Sequence, residues 1–242
     1  MQYANTQGRA GIENLIAIPG QVGTAPVSNI GAYGMEAGHR VARVEGYDLT
    51  TLQPKIFSKE ACAFTYRNSI FKTQLRNQFL ITHVIWKLEH FDEQYAFTTQ
   101  YPDIQEALKA DVSPLSLLRM STIIAEIRAK KLPDWHSIGT AGSFFANPSI
   151  SIQHFETLKK QYPSLPSYPF SEQLVKIPAA WLIQQAGLKG YSNGKAGTSP
   201  QHALVVINDG GTAQDILEVV GHIQQTVNEQ FGVVLEPEVV YV

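Results

Sequence analysis

The sequence predicts an α+β protein in which a mostly β first part is followed by a smaller, mixed domain. Between residues 40 and 90, β-branched and aromatic residues are concentrated in strand-like segments. From about residue 136, short strand patterns alternate with amphipathic helical patterns. The hydrophobic share of 44% and the charged share of 17% are ample for a buried core and unlike those of a disordered chain.

The first part begins with a long stretch that is rich in glycine and proline. Residues 17–34 contain four glycines and two prolines, so we predict irregular backbone that turns repeatedly or passes close to a ligand. Strands are then predicted over residues 40–49, 64–71 and 79–90, and the last of these alternates partly with a period of two.

Capping residues and apolar spacing indicate helices in the rest of the chain. One helix is predicted from Ser113-Pro114 to the basic residues 128–131. The last helix opens at Thr212 and Asp215, which have capping-box spacing, and ends at Gly232. The apolar face of the first of these helices comprises Leu117, Met120, Ile124 and Ile127. The remaining predictions are a turn and strand over 139–151, helices over 153–162 and 178–190, a strand over 203–208 and a proline-interrupted strand over 233–242.

Charge and cysteine content exclude several classes of protein. A net charge of −2 and a pI near 6.4 do not suggest a general nucleic-acid binder. Cys62 is the only cysteine, which rules out an internal disulfide and a cysteine-based zinc cluster. No apolar run reaches the roughly 18 residues of a membrane span, and the first residues lack the pattern of a secretion signal. We therefore expect a cytoplasmic protein without a metal.

Four stretches can carry chemistry, and each also has a purely structural interpretation. The glycine-rich residues 19–34 offer backbone N–H groups to a phosphate or a flavin, or form only a tortuous loop. Arg67 faces either a ligand or solvent. Ser143 is a proton donor in a tight turn or caps backbone groups. One of Glu236 and Glu238 is a buried acid, or both are exposed. The residues alone leave these alternatives open.

Six motifs together resemble the UDP-N-acetylenolpyruvoylglucosamine reductase (MurB) family. They cover nearly the whole chain, and they occur in the order and with the spacing that this family shows. The motifs are PGQVGTAPVSNIGAYG, CAFTYRNSIFK, KLPDWHSIGTAGSFFANP, IPAAWLIQQAGLKG, HALVVIN and LEPEV.

The resemblance implies a division of the chain into parts. Residues 1–135 would be the remainder of a PCMH/VAO-type FAD-binding domain, residues 136–234 a substrate-binding domain, and residues 235–242 a strand that returns toward the FAD domain. Family members have roughly a hundred further residues before this chain, including a loop for the FAD diphosphate. We therefore expect weak retention of FAD, with a redox-inactive UDP-sugar-binding module as the alternative to an enzyme.

The resemblance also implies an activity and its catalytic residues. In this family NADPH reduces FAD, and the flavin then passes hydride to UDP-N-acetylglucosamine enolpyruvate to give UDP-N-acetylmuramate for peptidoglycan synthesis. Arg67 would stabilise the enolate, Ser143 would protonate C2, and Glu238 would act as a further acid. A cation beside developing charge and a donor near a carbanion are what this chemistry needs. The protein is expected to act as a monomer.

Further residues of the chain correspond to binding positions of the family. Tyr101 resembles a tyrosine that closes over the substrate, and Lys131 and Asn147 resemble positions that hold its diphosphate. His202 touches the ligand or has a structural role. Ser28 stands where the family usually has glutamine. The flavin-binding positions are Pro19, Gly20, Gly23, Asn29, Ile30, Gly31, Ala32, Tyr33 and Gly34.

Overall fold

The chain folds into two compact units, and its mixture of helix and sheet confirms the predicted α+β class. The computed structural model describes residues 1–110 and 113–241. The first unit comprises Met1–Arg128 and the second Ala129–Val242.

In residues 1–110 and 113–128, the first unit contains helices and three antiparallel sheets. Its strands are β1 (Arg9–Ala10), β2 (Gly31–Ala32), β3 (Met35–Glu36), β4 (Val41–Asp48), β5 (Pro54–Ser58), β6 (Phe79–Trp86) and β7 (Glu89–His90). Its helices are α1 (Gln2–Thr6), α2 (Ala37–Arg40), α3 (Pro102–Ala110) and most of α4 (Leu117–Lys131), with 3-10 turns at Glu13–Leu15 and Val22–Thr24. The last three residues of α4 belong to the second unit.

A three-stranded sheet with the order β5-β4-β6 forms the centre of the first unit. Strands β4 and β6 confirm the strands that were predicted over 40–49 and 79–90. Val41 and Val44 of β4 are fully buried against Ile70 and Phe71, which places one face of the sheet in a core. The sequence did not predict β5, because its residues, PKIFS, begin with proline and are mostly exposed.

The strand predicted over residues 64–71 is wrong, because this segment is a tight turn. The backbone N–H of Thr65 donates to the carbonyl of Asn68, and the N–H of Asn68 donates back to Thr65, both at 3.1 Å. Arg67 has φ +55°, which is left-handed backbone that a strand cannot contain. The aromatic and β-branched residues that suggested a strand, such as Phe64, Ile70 and Phe71, instead anchor the turn in the core beneath the sheet.

Helix α4 has the predicted buried face but a later start. It begins at Leu117 rather than at Ser113, and the hydroxyl of Ser116 accepts a hydrogen bond from the N–H of Arg119 at 3.2 Å. The four predicted apolar residues are all buried. Met120, Ile124 and Ile127 share a cluster with Ile104 of α3. The sequence did not predict α3, because Ile104 is its one fully buried residue.

As far as residue 241, the second unit has two antiparallel sheets with the strand orders β10-β11-β9 and β12-β13-β8. The predicted helices over 153–162 and from Thr212 to Gly232 are confirmed with ends shifted by one residue. The helix predicted over 178–190 is shorter than predicted, because it ends at Gln185 and a turn follows. Its strands are β8 (Gly139–Ser143), β9 (Ser149–Ser151), β10 (Tyr168–Pro169), β11 (Leu174–Lys176), β12 (Ala196–Thr198) and β13 (Val205–Asn208). Its helices are α5 (Ile152–Gln161), α6 (Ala179–Gln185) and α7 (Ala213–Phe231).

The ends of α7 form as the sequence predicts. The Thr212 hydroxyl accepts from the N–H of Asp215 at 3.3 Å, and the Asp215 carboxylate accepts from the N–H of Thr212 at 2.7 Å. Gly232 ends the helix with φ +64°, which glycine adopts without a Cβ clash. The buried side of the helix contributes Val220, Ile223 and other apolar residues to the core of this unit.

Two predicted strand boundaries in the second unit are wrong. Ser143 ends strand β8 instead of lying in a turn before a strand, and Gly142 before it has φ +74° beside an irregularity in the register with β13. Residues 233–241 form no strand. They make only an isolated bridge between Pro237 and Phe145, because a proline cannot donate to a ladder.

Candidate active site

The glycine-rich segment is held in place by one buried asparagine. Asn29 is 1% exposed, and its Nδ2 donates to Glu36 Oε2 at 2.7 Å and to the carbonyl of Thr65 at 2.9 Å. Its Oδ1 accepts from the N–H of Gly38 at 2.7 Å. Asn29 therefore ties the glycine-rich segment to helix α2 and to the turn that contains Arg67. The sequence reading missed Glu36, whose side chain also caps α2.

The turn at 65–68 brings Arg67 onto the hairpin of β2 and β3. Arg67 Nη2 donates to the carbonyl of Gly31 at 2.9 Å, and the guanidinium lies 4.8 Å from the centre of the Tyr66 ring. A Cβ on Gly31 would lie 2.9 Å from Arg67 Nη1 and 2.9 Å from the carbonyl oxygen of Met35. Only glycine at position 31 lets the Arg67 guanidinium come this close to the hairpin backbone.

The two halves of the glycine-rich segment differ in structure. Pro19 and Gly20 are exposed at a surface turn, where Gly20 has φ +116°, and Gly23 lies in the 3-10 turn that follows. In the second half, Ile30 packs on the sheet core and Ala32 pairs with Met35. Of the predicted flavin-binding residues in this half, Gly31 contacts Arg67 directly and Asn29 contacts the turn that carries it.

Tyr33 and Tyr101 meet at the end of the hairpin. Their rings form an edge-to-face pair with centroids 5.6 Å apart. Tyr33 and Gly34 both have positive φ, and a Cβ on Gly34 would lie 3.2 Å from the Tyr101 hydroxyl. Burial raises the pKa of Tyr33, Arg128 lowers it and Asp103 raises it, and the net shift is upward. The structure thus brings together one predicted flavin-binding and one predicted substrate-binding residue.

In the second unit, the backbone brings Ser143 and Glu238 onto neighbouring segments. The N–H of Glu238 donates to the carbonyl of Phe144 at 2.8 Å, while the N–H of Phe144 donates to Leu204 at 2.9 Å. Ser143 is exposed and pairs with Val205 on the other side. Ser143 and Glu238 are distant in sequence, yet both adjoin Phe144, the first through the peptide bond and the second through a backbone hydrogen bond.

Three further predicted substrate-binding residues belong to this unit. Asn147 Oδ1 accepts from the N–H of Ala179 at 3.0 Å and so caps the start of α6. His202 shapes the turn before β13, because its Nδ1 accepts from the N–H of Leu204 at 3.3 Å. Lys131 is the half-buried last residue of α4.

A largely apolar cavity of about 420 Å³ lies against β8, β13 and α7. Phe144 and Val239, the sequence neighbours of Ser143 and Glu238, line it, but those two residues do not. The cavity therefore lies beside the polar candidates without including them. Among the described residues, no helix is long and apolar enough to cross a membrane, and no cluster of His, Cys, Asp and Glu suits a metal.

Comparison with known proteins supplies the family. Residues 133–242 match the family model described as UDP-N-acetylenolpyruvoylglucosamine reductase, C-terminal domain. The chain is 44% identical over 240 residues to the UDP-N-acetylenolpyruvoylglucosamine reductase of Amoebophilus asiaticus, covering 98% of this chain and 70% of the relative. It is 43% identical over 231 residues to the protein of the same name from Flavobacterium johnsoniae, covering 95% and 68%.

A solved structure supports the same conclusion. The crystal structure of UDP-N-acetylenolpyruvylglucosamine reductase (MurB) from Thermus caldophilus superposes with a TM-score of 0.63 at 25% identity. The match covers 98% of this chain and 66% of that protein. The chain thus spans about two thirds of the length of these relatives. It belongs to the UDP-N-acetylenolpyruvoylglucosamine reductase family.

Proposed function

We propose that this chain carries the catalytic residues for reduction of UDP-N-acetylglucosamine enolpyruvate to UDP-N-acetylmuramate, with NADPH as reductant and FAD as carrier. This step belongs to peptidoglycan precursor synthesis, and the protein acts in the cytoplasm as a monomer. One observation carries the proposal beyond family membership. The backbone N–H of Glu238 donates to the carbonyl of Phe144, the residue after Ser143, which supports the proposal that both acids serve one reaction.

The first unit suits a flavin in two respects. Gly31 and Gly34 let Arg67, Thr98 and Tyr101 pack closely on the hairpin, and Gly34 itself is exposed, so its backbone is accessible to a ligand. The adjacent Arg67 supplies a cation. We therefore assign residues 1–135 to a PCMH/VAO-type FAD-binding domain and residues 136–234 to a substrate-binding domain. Residues 235–242 are proposed to return toward the flavin domain, although Val242 lies outside the described residues.

When bound, FAD supplies the hydride that reaches C3 of the enolpyruvyl group. The task of Arg67 is to stabilise the negative charge that then develops on the α-carbon and carboxylate. A preorganised cation lowers such a barrier because it needs no rearrangement as the charge forms. The bond to the Gly31 carbonyl and the contact with the Tyr66 ring provide that preorganisation.

Protonation of C2 is assigned to Ser143. A serine hydroxyl is a weak acid, so it can protonate only a strongly basic centre that lies within hydrogen-bond reach. Its exposure at the end of β8 leaves it accessible to such a substrate. Glu238 acts as a further acid on the enol, together with Arg67.

Recognition of the substrate diphosphate is assigned to Lys131 and Asn147. The Asn147 carbonyl oxygen already accepts from Ala179, so the amide NH₂ is the group with which Asn147 donates to phosphate oxygens. Tyr101 closes over the substrate, and His202 lines its path or only supports the turn before β13.

The Ser143→Ala variant tests the proposed proton donor. In chain reconstituted with FAD, we expect reduction of the flavin by NADPH to persist and reduction of the UDP-sugar to fall by about 10³-fold or more. Flavin absorbance follows the first half-reaction, and chromatography of the UDP-sugar follows the second. Ser149→Ala, which removes another exposed strand serine of the same unit, should leave both unchanged. Loss of both half-reactions in Ser143→Ala would reject the assigned role.

A further inference from the structure

A buried polar pair in the first unit has no part in the function described so far. Glu13 and Asn14 occupy the 3-10 turn before the glycine-rich segment, and they are only 1% and 0% exposed. Neither side chain belongs to the proposed catalytic or binding set. Burial of two polar side chains is costly unless hydrogen bonds satisfy them, so their partners indicate their role.

Asn14 joins two segments that lie far apart in the sequence. Its Nδ2 donates to the carbonyl of Tyr33 at 2.9 Å and, over a longer distance of 3.4 Å, to the carbonyl of Thr98. Its Oδ1 has no hydrogen-bond partner among the described residues. The buried amide is therefore used through its two N–H donors alone, and both point at backbone carbonyls.

Glu13 fixes the position of the turn from which Asn14 acts. Its Oε1 accepts from the Tyr95 hydroxyl and its Oε2 from the N–H of Gly11, both at 2.7 Å. Burial, followed by the hydrogen bond to Glu13, raises the pKa of Tyr95, which keeps the phenol protonated as a donor. The segment from 91 to 101 is thus attached to the turn at Tyr95 and again at Thr98.

Both carbonyls that Asn14 holds belong to segments that present candidate site residues. Tyr33 has φ +48° and precedes Gly34, and Thr98 lies three residues before Tyr101. The Tyr33 and Tyr101 rings are in contact, and Thr98 Cγ2 lies 3.2 Å from the place of a Cβ on Gly34. The Asn14 amide therefore links the hairpin to the segment before α3 by hydrogen bonds, beside the ring contact that also joins them.

We propose that Asn14 is a positioning residue that clamps the turn bearing Tyr33 and Gly34 to the segment that presents Tyr101. The clamp keeps Tyr101, the proposed substrate-binding residue, at a fixed distance from Tyr33, the proposed flavin-binding residue. The effect of the clamp on ligand binding rests on the proposed function. The clamp itself rests only on the hydrogen bonds of Asn14.

The test compares Asn14→Ala with Asn5→Ala in the complete chain. Asn5 is a matched control, because its Nδ2 also donates to a distant group, Ser121 Oγ, at 2.6 Å, and its Oδ1 is likewise without a partner among the described residues. The first measurement is amide hydrogen exchange in peptides covering residues 30–36 and 97–105. We expect Asn14→Ala to raise exchange there by about tenfold relative to the rest of the chain, and Asn5→Ala to leave both segments unchanged.

The second measurement is the dissociation constant of UDP-N-acetylglucosamine enolpyruvate by calorimetry. Asn14→Ala should raise it about tenfold, since a misplaced Tyr101 loses part of its contact, while Asn5→Ala should not. If Asn14→Ala does not fold, Asn14→Leu fills the same volume without the donors and takes its place in both measurements.

The outcomes separate the inference from the proposed function. Unchanged exchange in both segments overturns the clamp. Increased exchange with unchanged affinity overturns the positioning role. A wild-type chain that does not bind the UDP-sugar overturns the proposed function instead, and increased exchange in the two segments would still support the clamp.

Discussion

The two candidate regions are built in different ways. In the first unit, side chains hold backbone: Asn29 and Arg67 fasten a hairpin through hydrogen bonds to main-chain atoms. In the second unit, backbone hydrogen bonds fix the positions of the candidate residues. Ser143 pairs with Val205 in the sheet, and the N–H of Glu238 donates to the carbonyl of Phe144. The first region should therefore be sensitive to single side-chain changes, and the second mainly to changes of backbone conformation.

The largest effect is expected from Asn29→Ala. This change removes three hydrogen bonds of a buried amide and leaves partners unsatisfied, so unfolding free energy should fall by about 3 kcal/mol. Urea denaturation measures it. Asn68→Ala removes one side-chain bond, to Ser69 N–H, and should cost about 1 kcal/mol. Equal losses in the two variants would contradict the role given to Asn29.

Gly31→Ala tests the close approach of Arg67 to the hairpin. The new Cβ would meet the Met35 carbonyl and the Arg67 guanidinium at 2.9 Å, so we expect a loss of about 2 kcal/mol in stability. Displacement of Arg67 should also lower the rate of UDP-sugar reduction by about tenfold or more.

Gly23→Ala is the matched control for Gly31→Ala in the same segment, because no atom lies within 4 Å of its Cβ position. It should leave the free energy of unfolding nearly unchanged, and the comparison is confined to stability because Gly23 is itself a proposed flavin-binding position. If the two alanine variants behave alike, the hairpin tolerates a side chain and the first region is less constrained than we infer.

Gly142→Ala addresses the backbone of the second region. Gly142 has φ +74° with no atom within 4 Å of its Cβ position, so the cost is conformational alone, about 1 kcal/mol. Thermal unfolding measures it. Gly187→Ala, with φ +76° and equally open space, should cost the same in stability. Only Gly142→Ala should slow UDP-sugar reduction, because it alone adjoins Ser143, and equal rates would argue against a backbone-placed serine.

The smallest effect concerns Cys62, which reports on the rigidity of the first region. Burial, and secondarily Glu60, raises the pKa of this thiol from 9.0 to about 11. The folded state thus favours the neutral thiol: this contribution to stability is fully present below pH 9 and is lost as the pH rises to about 11. Alkylation at pH 8 should be slow in the native chain and rapid in urea. Fast alkylation of the native chain would show that the region opens readily.

Sequence reasoning predicted those parts of the fold that depend on local signals. Helix α7 is recognisable from Thr212, Asp215 and Gly232, because each acts on atoms within a turn of its own position. The strands β4 and β6 are recognisable from β-branched residues that pack on one core.

The remaining features depend on contacts that local patterns do not encode. The segment around Arg67 has strand-like composition, yet the left-handed backbone at Arg67 and its bond to Gly31 make it a turn. The pairing of Glu238 with Phe144 joins distant segments, and the spacing within LEPEV does not indicate it. The burial of Asn14 likewise follows from partners at Tyr33 and Thr98.

The amide of Asn147 has a consequence for how this position can vary. Its oxygen secures the first turn of α6, a task that an aspartate oxygen performs equally well. Its NH₂ group, in contrast, is what the proposed diphosphate would require, and aspartate would present a negative charge there instead. Under the proposed function, replacement by aspartate would therefore leave a folded protein whose carboxylate repels the substrate diphosphate, so the loss would appear in ligand binding and not in folding.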